Sequence, residues 1–299
     1  MVPDFVVIGA SKAGTTSIYH WLARHPEVGV PYVKDTFFFN DDITAETVAA
    51  YRALFGDTTG RRAVGEVTPS YLDDLEAPRR IRAYAPDAKV VISLREPVSR
   101  LYSTAQMNVR LGTASDLVEE TLRLSREPRF RTAPRIEAVL DSVPREQVLA
   151  LRFDDLAADP ARTAARVFEF VGVDPTVDVS AAPVHNPGGL PRSDRLHRAI
   201  EWKPLRRLRR FTPGWAFDLL DSARRANLRP VDALDDALAR QLRSTFRDDV
   251  RRTAALLDLD LSAWLDRDRD LDALSPGRSL RRGARRRSGQ RASSSSSFS

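Results

Sequence analysis

Four short apolar runs divide the first half of the chain, at 4–9, 63–67, 89–94 and 147–152, each rich in Val, Ile and Leu. Between them the apolar positions recur every three to four residues, near 14–25, 44–55, 75–84, 97–111 and 160–172. Short apolar strands alternating with amphipathic helices predict βαβ units around a central parallel sheet, an α/β fold in three layers (α/β/α). Pro97, just after Arg95-Glu96, suits the first turn of a helix, and Asp159-Pro160 supplies a cap followed by a first-turn proline. Residues 230–257, opened by Pro230, read as one long amphipathic helix, so the C-terminal part is expected to be mostly helical. The stretch 183–193, with three prolines and two glycines, excludes regular structure.

Composition narrows this further. At 299 residues, 42% hydrophobic and 29% charged, the chain is long enough for one large α/β domain. It has no cysteine and four histidines, which excludes disulfides and thiolate metal sites and leaves little for a metal cluster. No window approaches the roughly 20 apolar residues of a membrane span, and the N-terminus runs into the first strand without a basic leader. A cytoplasmic setting is the expectation. The net charge of +6 is unevenly spread: residues 276–299 hold seven arginines and no acid, leaving residues 1–275 at −1. The Gly/Arg/Ser composition of 276–299 predicts a disordered tail after a single domain, 1–275. Such a tail suits weak contact with an anionic membrane, or with an anionic polymer if it were the protein's main working part. Tail charge alone gives no specific nucleic-acid recognition, and nothing in the sequence sets an oligomeric state.

The chemistry concentrates at Phe5–Ser17, where an apolar strand enters a small-residue turn and then a helix. Gly9 and Gly14 let the backbone curl, and a helix N-terminus with unpaired N–H groups, a nearby ammonium and three hydroxyls is a ready anion site. The loop is P-loop-like but is not a Walker A segment, in which lysine follows the second glycine. Here Thr15 stands at that place and the lysine comes two residues before the glycine, as Lys12. A nucleotide kinase would lose its main phosphate contact by that change. A second strand-to-helix junction, Lys89–Ser103, places Arg95 at the carboxyl end of a buried strand and Ser103 about two turns later. There an arginine can grip a phosphate bidentately, or else pair with a neighbouring carboxylate.

The Lys-Ala-Gly-Thr-Thr-Ser loop at 12–17, followed by Leu-Arg-Glu-Pro-Val-Ser-Arg-Leu-Tyr-Ser at 94–103, resembles the two nucleotide signatures of sulfotransferases that use 3′-phosphoadenosine-5′-phosphosulfate (PAPS). Lys34-Asp-Thr-Phe-Phe-Phe39 is similar to that family's Lys-Glu-x-x-Phe-Phe, and Gly65–Leu72 to its Gly-Glu-x-Thr-Pro-x-Tyr. The resemblance covers roughly 5–200 and is strongest for the carbohydrate and bacterial branch. It implies that Lys12, Ala13, Gly14, Thr15, Thr16 and Ser17 hold the 5′-phosphosulfate and that Arg95 and Ser103 hold the 3′-phosphate. Lys12 would also neutralise charge on the bridging oxygen. The late loop would close over the nucleotide with Arg192. The implied acceptor is a hydroxyl or amine of a carbohydrate, glycolipid or secondary metabolite.

A sulfuryl group carries less negative charge than a terminal phosphoryl group, so no metal is expected. A P-loop kinase is the alternative enzyme. In the resembling branch the general base is the glutamate of Lys-Glu-x-x-Phe-Phe. Asp35 takes that place here, with about 1.3 Å less reach from C–C bond geometry. His185 is a rival base, and Asp35 could instead be a turn carboxylate paired to Lys34. Glu66 could orient Lys12 or the acceptor, or be the buried partner of an arginine. Phe37, Phe38 and Phe39 read as core packing, and Tyr71 as either core or site. Val67 replaces a lysine with which glycan-modifying relatives grip acidic polymers, which argues against a heparin-like acceptor.

Overall fold

The computed structural model describes residues 2–178, 190–191, 228–229 and 231–265. The chain divides into one unit over Met1–Leu259 and a second over Asp260–Ser299, of which 260–265 are described. The arginine-rich stretch 276–299 lies outside the described residues.

Five strands form one parallel sheet: β1 (Phe5–Gly9), β2 (Val28–Gly29), β3 (Ala63–Val67), β4 (Lys89–Leu94) and β5 (Val148–Arg152). Their order across the sheet is β2-β3-β1-β4-β5. β1 is central, with Phe5, Val6 and Val7 opposite Gly65, Glu66 and Val67 of β3, and opposite Lys89, Val90 and Val91 of β4. A strand covered on both faces favours continuous apolar sequence over alternation, and Phe5, Val6, Val7 and Ile8 are all fully buried. Since all five strands run the same way, every carboxyl end opens on one edge, where α/β folds collect ligands.

Helices α1 (Thr15–Arg24), α2 (Ala45–Ala53), α3 (Ala77–Tyr84), α4 (Pro97–Arg110), α5 (Leu117–Ser125), α6 (Ala133–Ser142), α7 (Phe153–Ala158) and α8 (Pro160–Val171) fill the connections. Phe5 and Val7 pack into one cluster with Ile18, Trp21 and Leu22 of α1 and Val167, Phe168 and Val171 of α8. Val6 and Ile8, equally buried, point to the other face, as the period of two requires. α3 packs on α6, and the long helix α9 (Asp236–Leu257) packs on α6 and α4. Outside this sheet a two-residue antiparallel pair, β6 (Leu190–Pro191) with β7 (Leu228–Arg229), corrects the expectation that 183–193 holds no regular structure: two residues near its end pair with a distant segment, a contact that local composition does not show.

The four apolar runs each become a strand within a residue of their expected bounds. The long C-terminal helix starts later than Pro230, because Asp235 caps it by accepting the N–H groups of Ala237 and Leu238. β2 is too short to show in the sequence. Helices α5, α6 and α7 are not among the expected elements, although Asp116 caps α5 through Glu119 N–H, and Leu117, Thr121 and Leu124 repeat at helical spacing.

Candidate active site

The turn after β1 owes its shape to three special positions. Gly9 packs against the turn that follows β3: a Cβ there would lie 2.6 Å from Leu72 Cβ and 3.1 Å from Pro69 O. Lys12 adopts a left-handed φ of 68°. Gly14, at φ 84°, is the N-cap of α1 and offers no side chain, so Thr15, Thr16 and Ser17 occupy the first helical turn and do not cap it. Thr15 is buried and the other two are half-buried. The first N–H groups of a helix have no acceptor within it, and here no side-chain cap intervenes.

Three side chains, from β4, from α4 and from the junction between them, hold this loop by its carbonyls. Ser93 Oγ donates to Ala13 O at 2.6 Å, Arg95 Nη1 to Lys12 O at 3.0 Å, and Arg100 Nε to Ser11 O at 3.3 Å. A trans peptide directs its N–H opposite to its C=O. Fixing the Ser11 and Ala13 carbonyls therefore turns the Lys12 and Gly14 N–H groups the other way. Two guanidinium groups behind the loop add to its pull on an anion. Arg100 is itself buried, paired to Asp73 at 3.0 Å and lying over the Phe130 ring. Half-buried Arg95 has its guanidinium 4.6 Å from the centre of the Phe153 ring. Lys12 Nζ reaches Met107 Sδ of α4 at 3.8 Å. Half-buried Ser103 lies one turn earlier on the same helix face. The two sequence motifs thus meet at the carboxyl edge of the sheet.

Asp35 lies at the same edge, beyond β3. Its N–H donates to Val67 O at 3.1 Å, and Thr68 N–H donates to Val7 O at 2.9 Å, which ties this turn to β1. Asp35 has φ 65° and Phe37 φ 58°. Left-handed backbone at a non-glycine residue costs on the order of 1–3 kcal/mol and collects at functional sites. Four described non-glycine residues have positive φ; the fourth, Asp258, ends a helix, and the other three are Lys12, Asp35 and Phe37. The Asp35 carboxylate is 39% exposed and accepts from Lys34 Nζ at 2.6 Å, so the ion pair of the alternative reading forms while the carboxylate stays partly open.

Among its described contacts Glu66 meets neither Lys12 nor an arginine. Its buried carboxylate accepts from Thr68 Oγ1 at 2.8 Å, from Tyr71 OH at 3.1 and 3.2 Å, and from Thr36 Oγ1. Its described hydrogen-bond partners are hydroxyls, not an arginine. Burial pushes its pKa up, against the opposing effect of those hydroxyls. Tyr71 is fully buried and belongs to this network. Phe38 and Phe39 are core residues as expected, but Phe37 is 53% exposed, because its left-handed backbone turns it away from its neighbours. Tyr32 and Val33, just before Lys34, are exposed as well. Val67 is buried in the core cluster.

His185 and Arg192 lie outside the described residues. Ser93, Arg100, Thr36 and Thr68 are site residues that the sequence does not nominate. Ser93 leaves the clearest trace, as a lone hydroxyl in the apolar run Val-Val-Ile-Ser-Leu. Among the described residues no group of three or more acidic or imidazole side chains is placed to hold a metal ion.

A profile described as "Sulfotransferase family" matches residues 42–178, a stretch that includes Glu66, Arg95 and Ser103 and begins after Lys12 and Asp35. The chain is 28% identical over 193 residues to human heparan sulfate glucosamine 3-O-sulfotransferase 6, a match covering 57% of this chain and 52% of the relative. It therefore spans about half the length of the curated relatives it matches. A sulfotransferase from Alicyclobacillus acidocaldarius of known structure aligns with a TM-score of 0.62 and 26% identity, covering 88% of this chain and 98% of that one.

One expectation is corrected by these comparisons. The membrane-associated sulfotransferase kil1 of Dictyostelium discoideum is 28% identical over 111 residues, 36% of this chain and 24% of the relative. A relative named for its membrane association removes the support for a cytoplasmic setting. The physical reason is that lack of cysteine excludes disulfides without fixing a compartment. No helix among the described residues is long and apolar enough to cross a membrane.

Proposed function

We propose that this chain is a sulfotransferase, that its β1–α1 loop binds the phosphosulfate end of PAPS and that the site passes the sulfuryl group to an acceptor hydroxyl. The observation that carries this reading is the placement of Lys12 and Asp35, both on left-handed backbone, beyond the carboxyl ends of the adjacent strands β1 and β3, with the loop carbonyls tied back by Ser93, Arg95 and Arg100. The residues present suit the donor. The start of α1, its two glycines and the Lys12 ammonium favour an anion of this size. Arg95 and Ser103 offer a guanidinium and a hydroxyl for a second phosphate.

The donor supplies an activated sulfuryl group, and the protein supplies position and charge. Asp35 takes the proton of the acceptor hydroxyl as its oxygen bonds to sulfur. Lys12 and the N–H groups of the loop stabilise the negative charge that grows on the phosphate oxygen as its bond to sulfur breaks. Asp35 can do this despite its short side chain because the left-handed backbone, anchored on Val67 O, sets where the carboxylate begins. An acceptor reaching Asp35 also meets exposed Phe37 and Tyr32, flat apolar surfaces suited to the C–H face of a sugar or to another ring. Buried Val67 offers no grip on a polyanion. A glycan or small molecule of low charge therefore fits better than a heavily sulfated polymer.

The donor assignment is tested by calorimetric binding in EDTA. Adenosine 3′,5′-bisphosphate should bind more tightly than ADP, and Arg95→Ala should weaken it about 10- to 100-fold, the loss of one or two charged hydrogen bonds. The same variant should slow transfer, since Arg95 also fixes the Lys12 carbonyl. Unchanged affinity in Arg95→Ala would remove the second motif from the nucleotide site.

A further inference from the structure

We propose that Glu66 is a positioning residue for the Asp35 turn, acting through Thr36, Thr68 and Tyr71; this rests on the reading of Asp35 as the general base. Glu66 is 0% exposed and cannot itself meet an acceptor. What it does is orient three hydroxyls. Thr68 Oγ1 donates to Glu66 Oε2 at 2.8 Å, Tyr71 OH lies 3.1 Å from the same oxygen, and Thr36 Oγ1 donates there too. A hydroxyl has one proton, so a hydroxyl that gives it to the carboxylate presents only lone pairs elsewhere.

Those lone pairs meet the backbone of the turn beside the base. Thr36 N–H donates to Thr68 Oγ1 at 3.0 Å, Phe38 N–H to Thr36 Oγ1 at 3.4 Å, and Phe39 N–H to Tyr71 OH at 3.2 Å. With Asp35 N–H on Val67 O at 3.1 Å, four of the five backbone N–H groups from Asp35 to Phe39 end on β3 or on a hydroxyl that β3's glutamate has oriented. Two left-handed residues flank Thr36 within this turn. Such backbone persists only where the surroundings over-determine it, and the Glu66 network supplies that restraint. A buried carboxylate is costly unless its hydrogen bonds are satisfied. Here hydroxyls satisfy it, and its geometric effect falls on the residue next to Asp35.

Glu66→Gln keeps the shape but puts two N–H donors where the hydroxyls now donate, so at least one hydroxyl must turn and release its backbone N–H. The experiment measures kcat for sulfuryl transfer and affinity for adenosine 3′,5′-bisphosphate in the full chain carrying Glu66→Gln, Asp35→Asn or both. The expected result is a fall in kcat of about 10- to 100-fold for Glu66→Gln, the scale of a roughly 1 Å misplacement, with nucleotide affinity kept within about twofold. In the Asp35→Asn background Glu66→Gln should change kcat by less than about twofold, since a group acting through another has nothing left to position.

An equal cost in both backgrounds, or nucleotide affinity falling in step with kcat, would overturn the coupling while leaving Asp35 as base. Wild-type rates in Asp35→Asn would instead remove the base assignment, and this proposal with it. Should Glu66→Gln fail to fold, Thr36→Val and Thr36→Ser carry the same cycle. The valine variant should lose rate only where Asp35 is intact, and the serine variant, which keeps the hydroxyl, should restore it.

Discussion

Lys12→Ala is expected to lower the rate of sulfuryl transfer by about 100- to 1,000-fold, the usual cost of deleting one group aimed at charge that develops in the transition state. Nucleotide affinity should fall far less, because the start of α1 and the Arg95–Ser103 side remain. The geometry supports that split. Lys12 is held in a left-handed conformation, and its carbonyl is gripped by Arg95, so the loop keeps its shape when the ammonium is removed. Lys12→Arg is a useful companion: its broader, planar head should recover binding better than rate. Single-turnover kinetics with the donor in excess separate the two effects, and a loss of affinity with the saturated rate unchanged would mean that Lys12 merely binds.

Asp35→Asn should reduce kcat by about 100- to 10,000-fold, the range for losing a positioned general base, with little change in nucleotide binding. The variant is nearly isosteric, and Asp35 N–H still has Val67 O to bond. Lys34 would lose its 2.6 Å partner, but the Asp35 carboxylate is 39% exposed, so this surface pair adds little stability. Melting temperature is the control, and a large drop in it would recast Asp35 as structural.

Much of the fold was legible because its signals are local. Strands buried on both faces must be apolar throughout, and the runs at 4–9, 63–67, 89–94 and 147–152 are. Helix starts at Pro97 and Pro160 follow from one residue's fixed φ and lost N–H. What stayed hidden depends on contacts distant in sequence. Strand order cannot be read from any run. Ser93 and Arg100 become part of the site only once β4 and α4 lie beside a loop some 80 to 90 residues earlier.

Glu66 illustrates the same limit. Near the end of a short strand it could have faced an arginine, the acceptor or Lys12; only the fold shows it closing on Thr36 and Tyr71. Phe37 marks the opposite case. In the run Phe37–Phe39 all three residues look alike, and the backbone at φ 58° is what turns the first of them outward. The displaced lysine of the opening loop was visible from the start. Its structural meaning, an ammonium directed toward α4 with the loop carbonyls pinned behind it, was not.

The most direct measurement of the central claim is sulfuryl transfer from PAPS labelled in its sulfuryl group, run against a panel of neutral glycans and small hydroxyl acceptors with and without EDTA. The account predicts labelled product at the same rate in both conditions, lost in Lys12→Ala and Asp35→Asn. Label transfer that requires a divalent metal, or phosphoryl transfer from ATP with none from PAPS, would contradict it.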